Sequence, residues 1–64
     1  MSQKKTLAER QAELQTLLAT RAGKAELKDL ASRYAEASGR PQAAKRSVIT
    51  YILVYEREHG LIDG

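Results

Sequence analysis

The sequence predicts an all-α protein built as a single three-helix bundle. Apolar residues recur at helical spacing in three segments, at about residues 7–19, 21–38 and 42–59. Short breaks at residues 20–23 and 38–41 separate these segments. A chain of 64 residues allows only one domain. Three amphipathic helices with short joints therefore pack into one small bundle that spans residues 6–64.

The first helix is predicted to begin at a capping box, because Thr6 stands three residues before Glu9. Residues 1–5, before it, are predicted to form a disordered basic tail. Arg10 falls on another face of this helix than the leucines. The apolar face consists of Leu7, Leu14, Leu17 and Leu18, with Gln11 in the gap between the first two leucines.

The second helix begins after the first break, where either Thr20 caps it or Gly23 ends the helix before. Gly39 is predicted to end it in a left-handed conformation. Asp29 and Arg33 are spaced to form an ion pair. The apolar stripe of the helix consists of Leu27, Leu30, Ala31 and Tyr34.

The third helix contains the densest apolar run of the chain, residues 47–55. Many of these residues favour strands, but Pro41 suits a first helical turn and Gly60 a helix end, which predicts a helix over 42–59. Residues 61–62 are predicted to fold back on the core. The apolar arc is wide, so either the other two helices clasp it or a partner covers part of it.

The composition excludes several classes of protein. There is no cysteine, so neither a disulfide nor a thiolate zinc site is expected, in agreement with a cytoplasmic setting. No run of about eighteen apolar residues exists to span a membrane. The start of the chain also lacks the apolar stretch of a secretion signal. A net charge of +3 permits nucleic-acid binding without requiring it.

Catalytic and metal-binding patterns are weak. No Ser/His/Asp spacing and no phosphate-binding glycine loop is present, so no enzyme activity and no cofactor are predicted. Glu56 and His59 have the Glu-x-x-His spacing of di-iron bundles. Such a centre needs two of these motifs, and the chain has one histidine, so a metal site would require a dimer and is not predicted.

Two short motifs within residues 27–62 carry a family resemblance. Leu30-Ala31 lies in the second helix, and Glu58-His59-Gly60-Leu61-Ile62 ends the third. Together they resemble the winged-helix branch of helix-turn-helix DNA-binding regulators. The resemblance implies that the alanine lets a recognition helix pack closely, and that Gly-Leu-Ile turns the chain toward a wing.

The sequence departs from that family in two places. Counted from Ala31, the glycine of the compact turn would stand at Ala35, but it comes a helical turn later, at Gly39. The second helix is therefore longer than usual, or Ala35 has the role given to Ala31. A wing is not expected within this sequence, because only two residues follow Ile62.

A local excess of positive charge agrees with the resemblance. No Asp or Glu occurs between Ala37 and Tyr55. Cations there suit phosphate or guanine, and hydroxyl or amide groups suit phosphate or base edges. The predicted DNA-binding residues are Arg40, Gln42, Lys45, Arg46, Ser47 and Thr50. An ordinary solvated face is the alternative for these residues.

A second hypothesis is a helical protein-interaction or self-association module. It uses the wide apolar arc of the third helix and expects Tyr51 or Leu53 to be exposed in the monomer. The expected partners are therefore DNA or, under this alternative, a second copy or another protein bound through the third helix.

Overall fold

The computed structural model describes residues 4–39 and 47–63, and the described residues form three α-helices. Helix α1 spans Leu7–Leu17, α2 spans Arg21–Ser38 and α3 spans Val48–Glu58. Each helix contacts the other two. The predicted all-α three-helix bundle is therefore confirmed, with α2 at the predicted bounds and α1 and α3 shorter than predicted.

Each helix begins at a hydroxyl side chain on an extended residue. In each case the hydroxyl oxygen accepts a hydrogen bond from the backbone N–H three residues further on, which satisfies one of the unpaired donors of the first turn. At α1 the predicted capping box is complete, because the Thr6 N–H also donates to Glu9 Oε1 at 3.0 Å. The three capping residues are Thr6, Thr20 and Ser47.

A glycine in a left-handed conformation follows α2, and another follows the end of α3, as predicted. Gly39 follows α2 with φ of 70°, and Gly60 follows the last residues of α3 with φ of 69°. Both values are left-handed, a conformation that glycine adopts without a steric penalty.

The joint between α1 and α2 consists of residues 18–20, because α1 ends two residues earlier than predicted. A Cβ atom on Gly23 would lie 2.0 Å from the carbonyl oxygen of Leu17, so only a glycine allows α2 to start so close to the end of α1. Helix α1 accordingly ends at Leu17, and Thr20 is the cap of α2. Leu18 lies in the turn and is 45% exposed, so its predicted place on the apolar face is wrong.

Helix α3 begins six residues later than predicted. Ser47 has an extended backbone, with φ of −66° and ψ of 154°, and its side chain caps the first turn. A continuous helix over 42–59 is therefore wrong at its start. The prediction placed the start of the helix next to Pro41, but a serine that caps must itself lie outside the helix. The predicted first-turn role of Pro41 lies outside the described residues.

The core takes one fully buried side chain from each helix: Leu14 of α1, Leu27 of α2 and Ile52 of α3. Tyr51 and Leu53 are also buried, at 9% and 8% exposure. Helices α1 and α2 and the end of the chain thus clasp the wide apolar arc of α3. The burial of these residues agrees with the first of the two interpretations of that arc, in which the other two helices clasp it.

The two ends of the domain lie side by side. The Asp63 N–H donates to the carbonyl oxygen of Lys5 at 2.8 Å. Lys5 therefore belongs to the folded domain, in contrast to its predicted place in a disordered tail. Ile62 is buried, as predicted, whereas Leu61 is 52% exposed because the turn at Gly60 directs only one of the two side chains into the core.

Candidate functional site

The amino end of α3 contains two of the predicted DNA-binding residues, Ser47 and Thr50. Both are exposed. The Thr50 N–H donates to Ser47 Oγ at 3.1 Å, and the Ser47 hydroxyl donates to Thr50 Oγ1 at 2.8 Å. The Ser47 hydroxyl thus uses its hydrogen as a donor and its oxygen as an acceptor within the cap. The Thr50 hydroxyl accepts from Ser47 and keeps its own hydrogen to donate.

The other four predicted residues, Arg40, Gln42, Lys45 and Arg46, lie outside the described residues. Ser47 and Thr50 are therefore the predicted site residues whose proximity is established. Because α3 starts at Val48, the positive end of its dipole lies at Ser47, immediately after Arg46 in the sequence.

A second polar cluster, which the sequence did not predict, joins all three helices. Glu56 of α3 is 3% exposed and holds both carboxylate oxygens in hydrogen bonds. Arg10 of α1 donates from Nε to Oε1 and from Nη2 to Oε2, both at 2.8 Å. The Tyr34 hydroxyl of α2 donates to Oε2 at 2.5 Å. Arg10, Tyr34 and Glu56 are called the Glu56 cluster below.

The buried acid changes the titration of its two partners. Hydrogen bonding to Glu56 raises the pKa of the Arg10 guanidinium above its ordinary value, although partial burial acts in the opposite direction. Burial raises the pKa of the Tyr34 hydroxyl well above its ordinary value, and donation to Glu56 raises it further. The raised pKa values keep the Arg10 guanidinium charged and the Tyr34 hydroxyl neutral through the physiological pH range.

The Glu56 cluster extends toward the amino end of the chain. Arg10 Nη1 donates to Glu13 at 2.7 Å, and Glu13 also pairs with Lys5. A shallow cleft of about 300 Å³ opens beside the cluster. Its wall is formed by Lys4, Lys5, Arg10, Glu56, Leu61 and Ile62. Glu56 lines this cleft with both carboxylate oxygens in hydrogen bonds to Arg10 and Tyr34.

A stack of three rings flanks the Glu56 cluster. The centroids of Tyr34 and Tyr55 lie 4.0 Å apart, and those of Tyr55 and His59 lie 3.9 Å apart, with nearly parallel planes. His59 is also held by its Nδ1 atom, 2.9 Å from the Tyr55 carbonyl oxygen. The stack therefore fixes the end of α3 against α2.

Two interruptions of apolar stripes were the available signal for the Glu56 cluster. Glu56 continues the stripe of Ile49 and Leu53, and Arg10 lies three residues after Leu7 and four before Leu14. The predicted orientation of α1 was wrong here, because Arg10 is half-buried and Gln11, expected among the leucines, is exposed. Opposite charges on two apolar stripes indicate a buried pair.

Two further observations concern the described part of the chain. Within residues 4–39 and 47–63, no three acidic or histidine side chains are grouped so that they could hold a metal ion. None of the helices there combines the length and apolar character required to cross a bilayer.

No family model, curated protein or solved structure matches the chain.

Proposed function

We propose that this protein is a small nucleic-acid-binding domain of helix-turn-helix type, which binds DNA through the amino end of α3. One observation carries the proposal. The exposed hydroxyl pair of Ser47 and Thr50 stands at the positive end of α3, directly after a segment with three cations. That segment belongs to a stretch without any Asp or Glu, from Ala37 to Tyr55.

Each group in this region has a role toward DNA. The positive end of the α3 dipole attracts phosphate, and the Thr50 hydroxyl has a hydrogen to donate to it. Arg46 or Arg40 would pair with guanine through two parallel hydrogen bonds, and Gln42 would bind a base edge or a phosphate. Lys45 would neutralise a phosphate. The role is binding and not catalysis, and the resemblance to helix-turn-helix regulators supports it.

The alternative, a protein-interaction module, depended on apolar residues of α3 that would be exposed in the monomer. That hypothesis expected Tyr51 or Leu53 to be exposed in the monomer, but they are 9% and 8% exposed. A second copy could reach these side chains only if the bundle opened, which would cost most of the folding free energy of so small a domain. The burial of Tyr51 and Leu53 therefore removes the expected exposure on which this alternative was based.

Fluorescence anisotropy with a labelled random-sequence DNA duplex tests the proposal. Binding should weaken between about 50 mM and about 200 mM salt, with a linear fall of log affinity against log salt concentration. Arg46→Gln should weaken binding and lower the steepness of that line by about 1, because on a duplex of random sequence the Arg46 guanidinium neutralises one phosphate instead of pairing with a guanine.

Arg57→Gln is the matched control, because it removes the same charge from the other end of the described helix, where Arg57 is exposed. It should leave the salt dependence unchanged. Absence of binding at low salt, or equal effects of the two substitutions, would reject the proposal.

A further inference from the structure

A strip of exposed cations follows one flank of α2. Arg21, Lys24 and Lys28 lie within about 60° of one another around the helix, at 3.6 residues per turn. All three are exposed. Small exposed residues, Ala25 and Ser32, lie between and beyond them on the same flank. Arg21, Lys24 and Lys28 are called the basic flank below.

The acids of α2 lie on other faces of the helix. Glu26, Asp29 and Glu36 are placed between about 60° and about 140° further round than Arg21. Asp29 there pairs with Arg33 at 3.0 Å. No residue of the basic flank forms an ion pair with an acid of the described segments. The positive charge of this surface is thus not neutralised by an ion pair with a described acid.

Folding does not explain this arrangement. The first turn of α2 carries no acid, and cations there oppose the positive end of the helix dipole. Lys24 and Lys28 are four residues apart and repel each other. The start of α2 is already secured by the cap at Thr20, whose side chain accepts from the Gly23 N–H at 2.9 Å. A sequence selected for helix stability alone would place acids at these positions.

We infer that the basic flank is a second nucleic-acid contact, which binds the phosphate backbone without reading bases. This inference deepens the proposed function and rests on it. The strip extends about 10 Å along the axis, at 1.5 Å per residue. One strand of B-DNA rises by about 3.4 Å per phosphate, so long cationic side chains on this strip reach about three phosphates.

An anionic membrane fits the basic flank less well. Helices that bind membrane surfaces insert an apolar face beside their cations. The apolar residues of α2 are already used in the bundle, since Leu27 and Ala31 are 2% and 4% exposed. The residues between the cations are small, so nothing on this flank would enter lipid. Charge alone, without apolar anchors, suits the backbone of a nucleic acid.

The test compares two double variants of the full chain in the same duplex titration. Lys24→Gln/Lys28→Gln removes two charges from the basic flank, and Arg33→Gln/Arg57→Gln removes two exposed charges elsewhere. The first variant should lower the steepness of log affinity against log salt concentration by about 2, because each lost phosphate contact contributes about 0.9 to that slope. The second should leave it within the error of the wild type.

The outcomes separate this inference from the proposed function. If Arg46→Gln weakens binding and the basic-flank variant does not, the second contact is rejected and the role of α3 stands. If only the basic-flank variant weakens binding, the contact stands and the role of α3 is rejected. Equal effects of the two double variants would reject the inference as a general effect of net charge. Binding to phosphatidylserine vesicles through these lysines, without binding to DNA, would also reject it.

Discussion

The charged side chains of the Glu56 cluster are buried or half-buried and hydrogen-bonded to one another, whereas those of the basic flank are exposed. In the cluster, one acid that is 3% exposed receives three hydrogen bonds from side chains of two other helices. On the flank, exposed cations form no ion pair with an acid of the described segments. Removal of a buried partner leaves a desolvated charge, whereas removal of an exposed one leaves water in its place.

The Glu56 cluster is the most specific polar geometry of the described structure, and its groups are satisfied by one another. Such a cluster selects one arrangement of α1, α2 and α3, because only that arrangement pairs all its members. A surface that folding does not require is the better candidate for a partner, and the basic flank is such a surface.

The largest expected effect tests whether folding depends on the Glu56 cluster. Glu56→Ala leaves the Arg10 guanidinium and the Tyr34 hydroxyl without their acceptor. We expect a loss of about 3 kcal/mol in the free energy of unfolding, since breaking a buried pair costs about 3–5 kcal/mol and Arg10 keeps some contact with water. Urea unfolding followed by far-ultraviolet circular dichroism measures it.

Glu58→Ala is the control, because Glu58 is an exposed acid in the same turn of α3. Its effect should stay within about 0.5 kcal/mol. A loss below about 1 kcal/mol for Glu56→Ala would show that the cluster does not hold the bundle, and the contrast with the basic flank would fail.

A smaller effect is expected at the hydroxyl of Tyr34. Tyr34→Phe keeps the ring stack but removes a hydrogen bond to a charged group, which should cost about 2 kcal/mol. Tyr55→Phe also keeps the ring stack, but the hydroxyl that it removes has no hydrogen-bond partner among the described residues. This substitution should therefore leave the free energy of unfolding nearly unchanged. Equal losses in the two variants would assign the effect to ring packing instead of the hydrogen bond.

The same pair of proteins tests the pKa of Tyr34. Its pKa is raised in the folded state, so the proton contributes stability below the unfolded pKa of about 10. That contribution is lost as the pH rises from there through the folded pKa. The free energy of unfolding of the wild type should therefore fall more steeply above about pH 10 than that of Tyr34→Phe. Parallel curves would contradict a raised pKa.

The smallest expected effect has the opposite sign. Lys24→Gln/Lys28→Gln should raise the free energy of unfolding by about 0.5 kcal/mol, because it relieves a like-charge pair and a cation near the positive end of the α2 dipole. Thermal unfolding should shift upward by about 3 °C for a domain of this size. A loss of more than about 1 kcal/mol would mean that these lysines support the fold, and the basic flank would no longer stand apart from the Glu56 cluster.

Local chemistry explains the correct fold predictions. The capping box at Thr6 and the stops at Gly39 and Gly60 each depend on residues within one or two turns of one another. The start of α3 shows the limit of such reasoning. Helix propensity favours the whole segment before Ser47, and only the extended backbone of that serine marks where the helix begins.

The candidate site was less accessible from the sequence. Ser47 and Thr50 were predicted as DNA contacts from their residue types and are also the cap of α3, so only the Thr50 hydroxyl keeps a hydrogen to donate. Arg10 and Glu56 were placed by helical periodicity alone, which assigns a face but not the neighbour that covers it. Their pairing joins residues 46 positions apart in the chain.

The sequence by itself therefore determined the helical class, the capping box at Thr6 and the stops at Gly39 and Gly60, because these features depend on residues close to one another in the chain. The tertiary structure alone decided which charges are buried, since burial depends on which faces meet. It decided that Arg10 and Glu56 lie against each other between helices, while Lys24 and Lys28 remain in water. The cost of removing a charge from water makes that difference large enough to separate residues that fold the chain from residues free to bind a partner.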